Sequence, residues 1–150
     1  STLTHERGTN PRQLVIHAQL LEELLRLADD RGLGDDPRLA DELAQAFVEV
    51  RLFQLQNWRS LSRLQHGRPL GPEAATAKLY WSEMSQRLHA TALRVLGDDA
   101  PLWRGAAGNP ADGRWQRSWL YYRAASIFAG SNEIQRTIIA ERTLGLPREP

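Results

Sequence analysis

The chain has 150 residues, 41% of them hydrophobic, with 19 basic against 18 acidic side chains and no cysteine. So small a net charge excludes the global field by which nucleic-acid and anionic-membrane binders collect their partners, and the missing cysteines exclude disulfides, thiolate metal sites and a cysteine nucleophile. The length suits one domain, which at this size buries about 68–70% of its unfolded surface. No run approaches the ~20 apolar residues of a membrane-spanning helix, and the first residues lack the charged and apolar regions of a signal peptide, which predicts a soluble, cytoplasmic protein without membrane insertion. The opening Ser1-Thr2-Leu3-Thr4-His5-Glu6-Arg7-Gly8 has no initiating methionine and reads as part of a longer polypeptide.

Helical punctuation dominates, while strand-like alternation and the hairpin dipeptide Asn-Gly are absent. Asn10-Pro11 reads as an N-cap followed by proline at the first helical position, and Leu14, Ala18, Leu21, Leu25 and Ala28 mark one face down to about Arg31. After a turn at Gly32 to Asp36, Asp36-Pro37 repeats the start signal. A second apolar stripe then runs over Leu39, Leu43, Ala46, Phe47, Val50, Gln54, Leu55, Trp58, Leu61 and Leu64 to a stop at Gly67. At 1.5 Å per residue that helix is roughly 45 Å long.

Gly71-Pro72-Glu73 starts a third helix, with Ala74, Ala77, Trp81, Met84, Leu88, Thr91, Ala92 and Val95 inward and Gly97 at its C-terminal end. Asp98 to Asp112 has little periodicity and reads as a long surface loop. A fourth helix is expected from about Gly113 to Phe128 over Trp115, Trp119, Tyr122 and Ala125. Ala129-Gly130 breaks it, Ser131 caps the next, and a short fifth helix ends at Leu144-Gly145. Short connections between long helices predict an all-α, up-and-down four-helix bundle with an additional short C-terminal helix. Phe47, Trp58, Trp81, Trp119 and Tyr122 fit core or subunit-contact positions better than a cofactor cage.

Bundle cores often hold di-iron centres, but these need Glu-x-x-His pairs on one helical face, and none occurs. His17, His66 and His89 are scattered and read as surface or satisfied core histidines. Gly-x-Ser-x-Gly, Walker-type and Gly-x-Gly-x-x-Gly patterns are also missing. What remains is the turn from Ala129 to Arg136. A glycine break before a small hydroxyl residue at a helix start leaves backbone N–H groups pointing outward, where they can hold a polar or anionic ligand. The alternative is that Gly130 and Ser131 only end one helix and cap another, with Arg136 paired to Glu133 or placed in a subunit interface.

Gly130-Ser131-Asn132-Glu133-Ile134-Gln135-Arg136, followed by Ile138-Ile139-Ala140-Glu141-Arg142-Thr143-Leu144-Gly145-Leu146-Pro147 and preceded by Arg114-Trp115-Gln116, resembles the C-terminal helical domain of bacterial acyl-CoA dehydrogenases. Essentially the whole chain is covered, with most of the specificity in the final forty residues. The resemblance implies oxidation of an acyl-CoA thioester with bound FAD, by a protein whose other domains complete the cleft and whose subunits form a homo- or hetero-oligomer, dimer or tetramer. Ser131 falls where the family usually has threonine, and Glu133 where it has glutamine or glutamate. With Gly130, both are therefore implied FAD contacts, and Arg136 is an implied structural clamp.

Ala129 stands where many members carry the glutamate that removes the substrate α-proton. Some relatives, including isovaleryl-CoA and long-chain acyl-CoA dehydrogenases, place that base on the first helix of this domain, in a segment resembling Leu3-Thr4-His5-Glu6-Arg7. Glu6 is the implied catalytic base, the alternative being a solvated carboxylate near a helix start. Two family features have no match. Arg31 to Arg38 replaces the arginine-x-x-phenylalanine-glycine segment that grips the FAD pyrophosphate, and Val95 to Asp99 replaces the glutamine-x-x-glycine-glycine stretch. A competing expectation is a non-catalytic assembly subunit of a mixed complex, and a third is an unrelated helical interaction module. The isolated domain is expected to be inactive.

Overall fold

Proline at the first position of a helix lacks only a donor that the helix would leave unpaired anyway, and two helices of this chain begin that way. The computed structural model describes residues 11–148, which form α1 (Pro11–Asp30), α2 (Pro37–Gln65), α3 (Glu73–Leu96), α4 (Arg114–Arg123) and α5 (Asn132–Arg142). The expected cap Asn10 lies outside the described residues. At α2 the cap is formed by Asp36, whose Oδ1 accepts from Arg38 N at 2.9 Å and Leu39 N at 3.3 Å. The architecture is the expected all-α bundle, α1 to α4 with α5 added.

Its organiser is α3, which packs against α1, α2, α4 and α5. The core accordingly gathers around Met84, Leu88, Ala92, Val95 and Leu96 of α3, with Leu21 and Leu24 from α1, Val50 and Phe53 from α2 and Trp115 from α4. A helix enclosed on several sides buries polar positions too, and Lys78, Ser82, Ser85 and His89 of α3 are all buried.

Three expectations need correction. Leu25 is exposed and Ala18 half-buried, whereas His17, Leu20 and Leu24 face inward, so the buried face of α1 is rotated from the expected one. On α2, Phe47, Leu55, Trp58 and Leu64 are exposed while Glu49, Phe53, Asn57 and Ser60 are buried. The helix carries apolar residues on two faces, and a single stripe cannot describe it. The fourth helix stops at Arg123 and tightens into a 3₁₀ turn at Ala124–Ser126, five residues before the expected Phe128.

The loop before α4 is held by its own side chains. Asn109 Nδ2 donates to Leu102 O and Trp103 O, both at 2.9 Å, and Asp112 Oδ1 accepts from Gly105 N at 2.7 Å. Gly113 closes it with φ 72°, where a β-carbon would lie 2.9 Å from Arg104 N. Gly113→Ala is therefore expected to lower the unfolding free energy by about 2 kcal/mol, from left-handed backbone strain plus the clash. Gly34→Ala, in open space without positive φ, serves as the neutral control in the same urea titration.

Candidate functional site

Past the 3₁₀ turn, Ile127 N and Phe128 N both bond Ala124 O, at 2.9 and 3.1 Å, which ends helical progress. The chain reverses through Ala129 (φ 54°) and Gly130 (φ 95°), both left-handed. Ser131 then caps α5, its Oγ accepting from Ile134 N at 3.4 Å. Left-handed backbone at an alanine is disfavoured by about 1–2 kcal/mol, so this turn needs support from elsewhere. Gln135 supplies it: fully buried, it donates from Nε2 to Ala129 O at 3.1 Å and Gly130 O at 3.4 Å.

Below the turn lies a polar seam along α3, spaced 78, 82, 85, 89 so that all four residues share one face. Asn132 is buried against it, Oδ1 accepting from Lys78 Nζ at 2.8 Å and Ser82 Oγ at 2.9 Å. Further along, His17 Nδ1 donates to Gln13 O at 2.8 Å, and its Nε2 sits 2.8 Å from Ser85 Oγ. His89 Nδ1 donates to Ser85 O at 2.7 Å, while its buried Nε2 has no hydrogen-bond partner among the described residues. The Tyr122 ring stacks on His89 at 4.6 Å. Burial pushes both imidazoles down to about 4, because a second proton would place a cation in the core. His17 is thus a satisfied core histidine and His66 an exposed one, but His89 is buried and only half satisfied.

The outer side of the turn is apolar at its rim and charged at one point. Tyr121, Ile127, Phe128 and Ile134 are exposed, with the Tyr121 and Phe128 rings 5.7 Å apart. Glu133 is fully exposed, and its own backbone N–H and then the Ser131 hydroxyl hold its carboxyl below the usual range. It is an ionised acceptor, poorly suited to take a proton at neutral pH. Arg136 pairs with Glu83 on α3, tying α5 to the bundle.

Gly130, Ser131 and Glu133 are therefore brought together at one corner, with the Ala129 methyl beside them. Glu6 lies outside the described residues. A small-residue turn with a hydroxyl, an ionised carboxylate and an apolar rim can receive the edge of a flat, partly apolar ring system. The turn's carboxylate, Glu133, is too weak a base to take the proton in α-carbon chemistry. The two segments that depart from the family pattern meet each other: Arg31 Nη1 bonds Asp99 Oδ2 at 2.8 Å and Nη2 bonds Leu96 O at 2.9 Å. The sequence reading missed Lys78, Ser82, Asn132 and Gln135, although the spacing of polar residues inside the α3 stripe was a visible signal.

The sequence model of the family described as "Acyl-CoA dehydrogenase, C-terminal domain" matches residues 1–144. Among curated relatives, "Acyl-CoA dehydrogenase IpdE1" of Mycobacterium tuberculosis is 35% identical over 150 residues, covering 99% of this chain and 37% of its own length. The chain thus spans well under half of the curated relatives it matches. Among solved structures, the "ChsE4-ChsE5 complex" from Mycobacterium tuberculosis superposes with a TM-score of 0.81 at 26% identity, over 95% of this chain and 38% of the other. The "Tcur3481-Tcur3483 steroid ACAD" gives a TM-score of 0.86 over 99% of this chain and 39% of the other, and at 23% identity that likeness is one of fold.

Proposed function

This chain belongs to the acyl-CoA dehydrogenase family, as its C-terminal domain, and on that premise we propose that the full-length protein introduces an α,β double bond into an acyl-CoA thioester. The observation that carries this reading is the Ala129-Gly130-Ser131 turn, a strained reversal fixed from behind by Gln135 and open on its apolar outer side. Gly130 allows close backbone approach, and Ser131 and Glu133 present polar atoms to the ring edge. FAD, when bound, supplies the acceptor for the β-hydrogen, which leaves as hydride.

The α-proton goes to Glu6, because Leu3 to Arg7 resembles the segment in which some relatives carry the base that is missing at Ala129. A base for so weak an acid works best where water is excluded and desolvation raises its pKa towards neutrality. The other domains of the same polypeptide supply that enclosure, so the 150-residue domain alone is expected to show no turnover.

Purified full-length protein is expected to be yellow, and Glu6→Gln is expected to keep the flavin while losing roughly 10²- to 10⁴-fold in turnover. Flavin retained with undiminished turnover in Glu6→Gln would remove the base assignment. One observation favours a second reading. Arg31 is committed to Asp99 and Leu96, which joins the two segments that replace the family's FAD-contacting stretches and fits a subunit that completes only some flavin sites of a mixed oligomer. A colourless, inactive full-length homo-oligomer would select that reading.

A further inference from the structure

Ser85 on α3 receives both interior histidines. Its backbone O accepts from His89 Nδ1 at 2.7 Å, and its hydroxyl lies 2.8 Å from His17 Nε2 and 2.7 Å from Trp81 O. That hydroxyl has one proton for two acceptors. Trp81 O already takes the helical bond from the Ser85 N–H four residues on. His17 gives its Nδ1 proton to Gln13 O, and its Nε2 meets no other donor among the described residues, so the Ser85 proton goes there. Tyr122 of α4 lies against the same residues. Its ring stacks on His89 at 4.6 Å and meets those of His17 and Trp81 edge-on at 5.9 and 6.1 Å, and His17, Ser85, His89 and Tyr122 are all buried. Three helices, α1, α3 and α4, are thereby joined at one interior point.

Both elements that lead to the proposed site leave from this point. Tyr122 is the last residue but one of α4, and the 3₁₀ turn and the Ala129-Gly130 reversal follow directly. On the other side, Pro11 at the start of α1 stands six positions before His17 and five after Glu6. Other polar ties of α1, Glu23 with Arg114 and, just past its end, Arg31 with Asp99, are partly exposed. Apolar contacts let a helix slide or rotate at little cost, whereas a buried hydrogen bond broken by sliding leaves its groups without water and so fixes register. Resting on the reading that the turn and Glu6 serve one reaction, we infer that His17 is a positioning residue: its bond to Ser85 and its contact with Tyr122 hold α1 in register with α4, and so hold the chain that carries Glu6 in register with the turn. Slippage by one residue moves α1 by about 1.5 Å, and a misplacement of about 1 Å can lower a rate on the order of 10²-fold.

The test uses full-length protein. Ser85→Ala removes the hydroxyl but keeps the carbonyl that His89 uses. It is expected to leave flavin content and KM near wild type, to lower kcat on the order of 10- to 10²-fold, and to raise the isotope effect of an α-deuterated acyl-CoA. In flavin-free protein it is expected to speed amide exchange at the start of α1 and over residues 127–135, with α2 unchanged. Tyr80→Phe, which removes a bond from the Tyr80 hydroxyl to Glu49 O at 3.0 Å between α3 and α2, is the control for general loosening. His17→Gln, whose side-chain oxygen can still take the Ser85 proton, is expected to stay closer to wild type in every readout than His17→Phe. The inference is overturned if Ser85→Ala leaves either the isotope effect or the exchange over 127–135 unchanged, if Tyr80→Phe reproduces both changes, or if His17→Gln and His17→Phe behave alike. Undiminished turnover in Glu6→Gln would instead remove the base assignment, and exchange in the flavin-free protein would still decide whether His17 couples α1 to the turn.

Discussion

Acidification from about pH 6.5 to pH 4 is expected to remove on the order of 6 kcal/mol of stability, a large share of the 5–15 kcal/mol that holds a domain of this kind together. The sign follows from which state takes up protons. In the unfolded chain the imidazoles of His17 and His89 titrate near 6.5, whereas burial pushes both down to about 4 in the folded domain. Above 6.5 neither state is protonated and the full stability is present. As the pH falls through the interval between the two values, the unfolded chain binds protons that the native core refuses, and each ring contributes about 3 kcal/mol to the loss. Glu73 and Glu133, both held below the usual carboxyl range by their own backbone N–H groups, remain ionised through the upper part of this interval.

Urea midpoints measured from neutral pH downward check this directly. His89→Phe keeps a ring against Tyr122 and removes both the titrating site and the unpartnered Nε2. It is expected to lie within about 1 kcal/mol of wild type at neutral pH and to show about half the acid-dependent loss. Identical pH slopes for wild type and His89→Phe would show that the interior histidines do not govern acid stability.

Asn132→Leu is expected to destabilise the domain by about 3 kcal/mol and to detach the start of α5 from α3. The leucine fills a similar volume but offers no acceptor, so the buried Lys78 ammonium loses the bond that Asn132 Oδ1 now accepts at 2.8 Å, while the Ser82 hydroxyl turns to Leu79 O, also 2.9 Å away. Hydrogen bonds to charged groups are the stronger class, at about 1.5–3 kcal/mol. Adding Lys78→Met removes the buried charge whose bond to Asn132 is lost, and the double variant is expected to recover part of the loss. In full-length protein the same Asn132→Leu change is expected to lower flavin content, because the Ser131 cap and the Ala129-Gly130 reversal sit on the residue that moved. Stability within experimental error of wild type would mean that the Lys78 contact adds nothing to the docking of α5.

Much of the bundle was legible because its signals are local. Asp36-Pro37 starts a helix through the cap carboxylate and the fixed proline φ, Gly71-Pro72 precedes another, and Ala129-Gly130-Ser131 marks a break and a cap whatever surrounds them. Gly130, Ser131 and Glu133 could be placed at one corner for the same reason, since four consecutive residues at a helix start stay together in any packing. Buried faces were less legible. Leu20 and Leu25 of α1 are both apolar, yet only the first is buried, and on α2 the exposed Phe47, Leu55 and Trp58 carry the same hydrophobic signature as the enclosed Val50 and Phe53.

Local chemistry, then, was enough to settle where helices begin and end to within a few residues, with α4 the exception, while the family came from the resemblance carried by the run from Gly130 to Pro147. Contacts between residues far apart in the chain decided the rest. Gln135 behind the turn, Asn132 on Lys78 and Arg31 on Asp99 depend on which side α3 presents to its neighbours. A helix stripe fixes its own phase but not which partner it meets, and once α3 is enclosed on several sides, burial of its polar seam follows from packing and not from hydropathy.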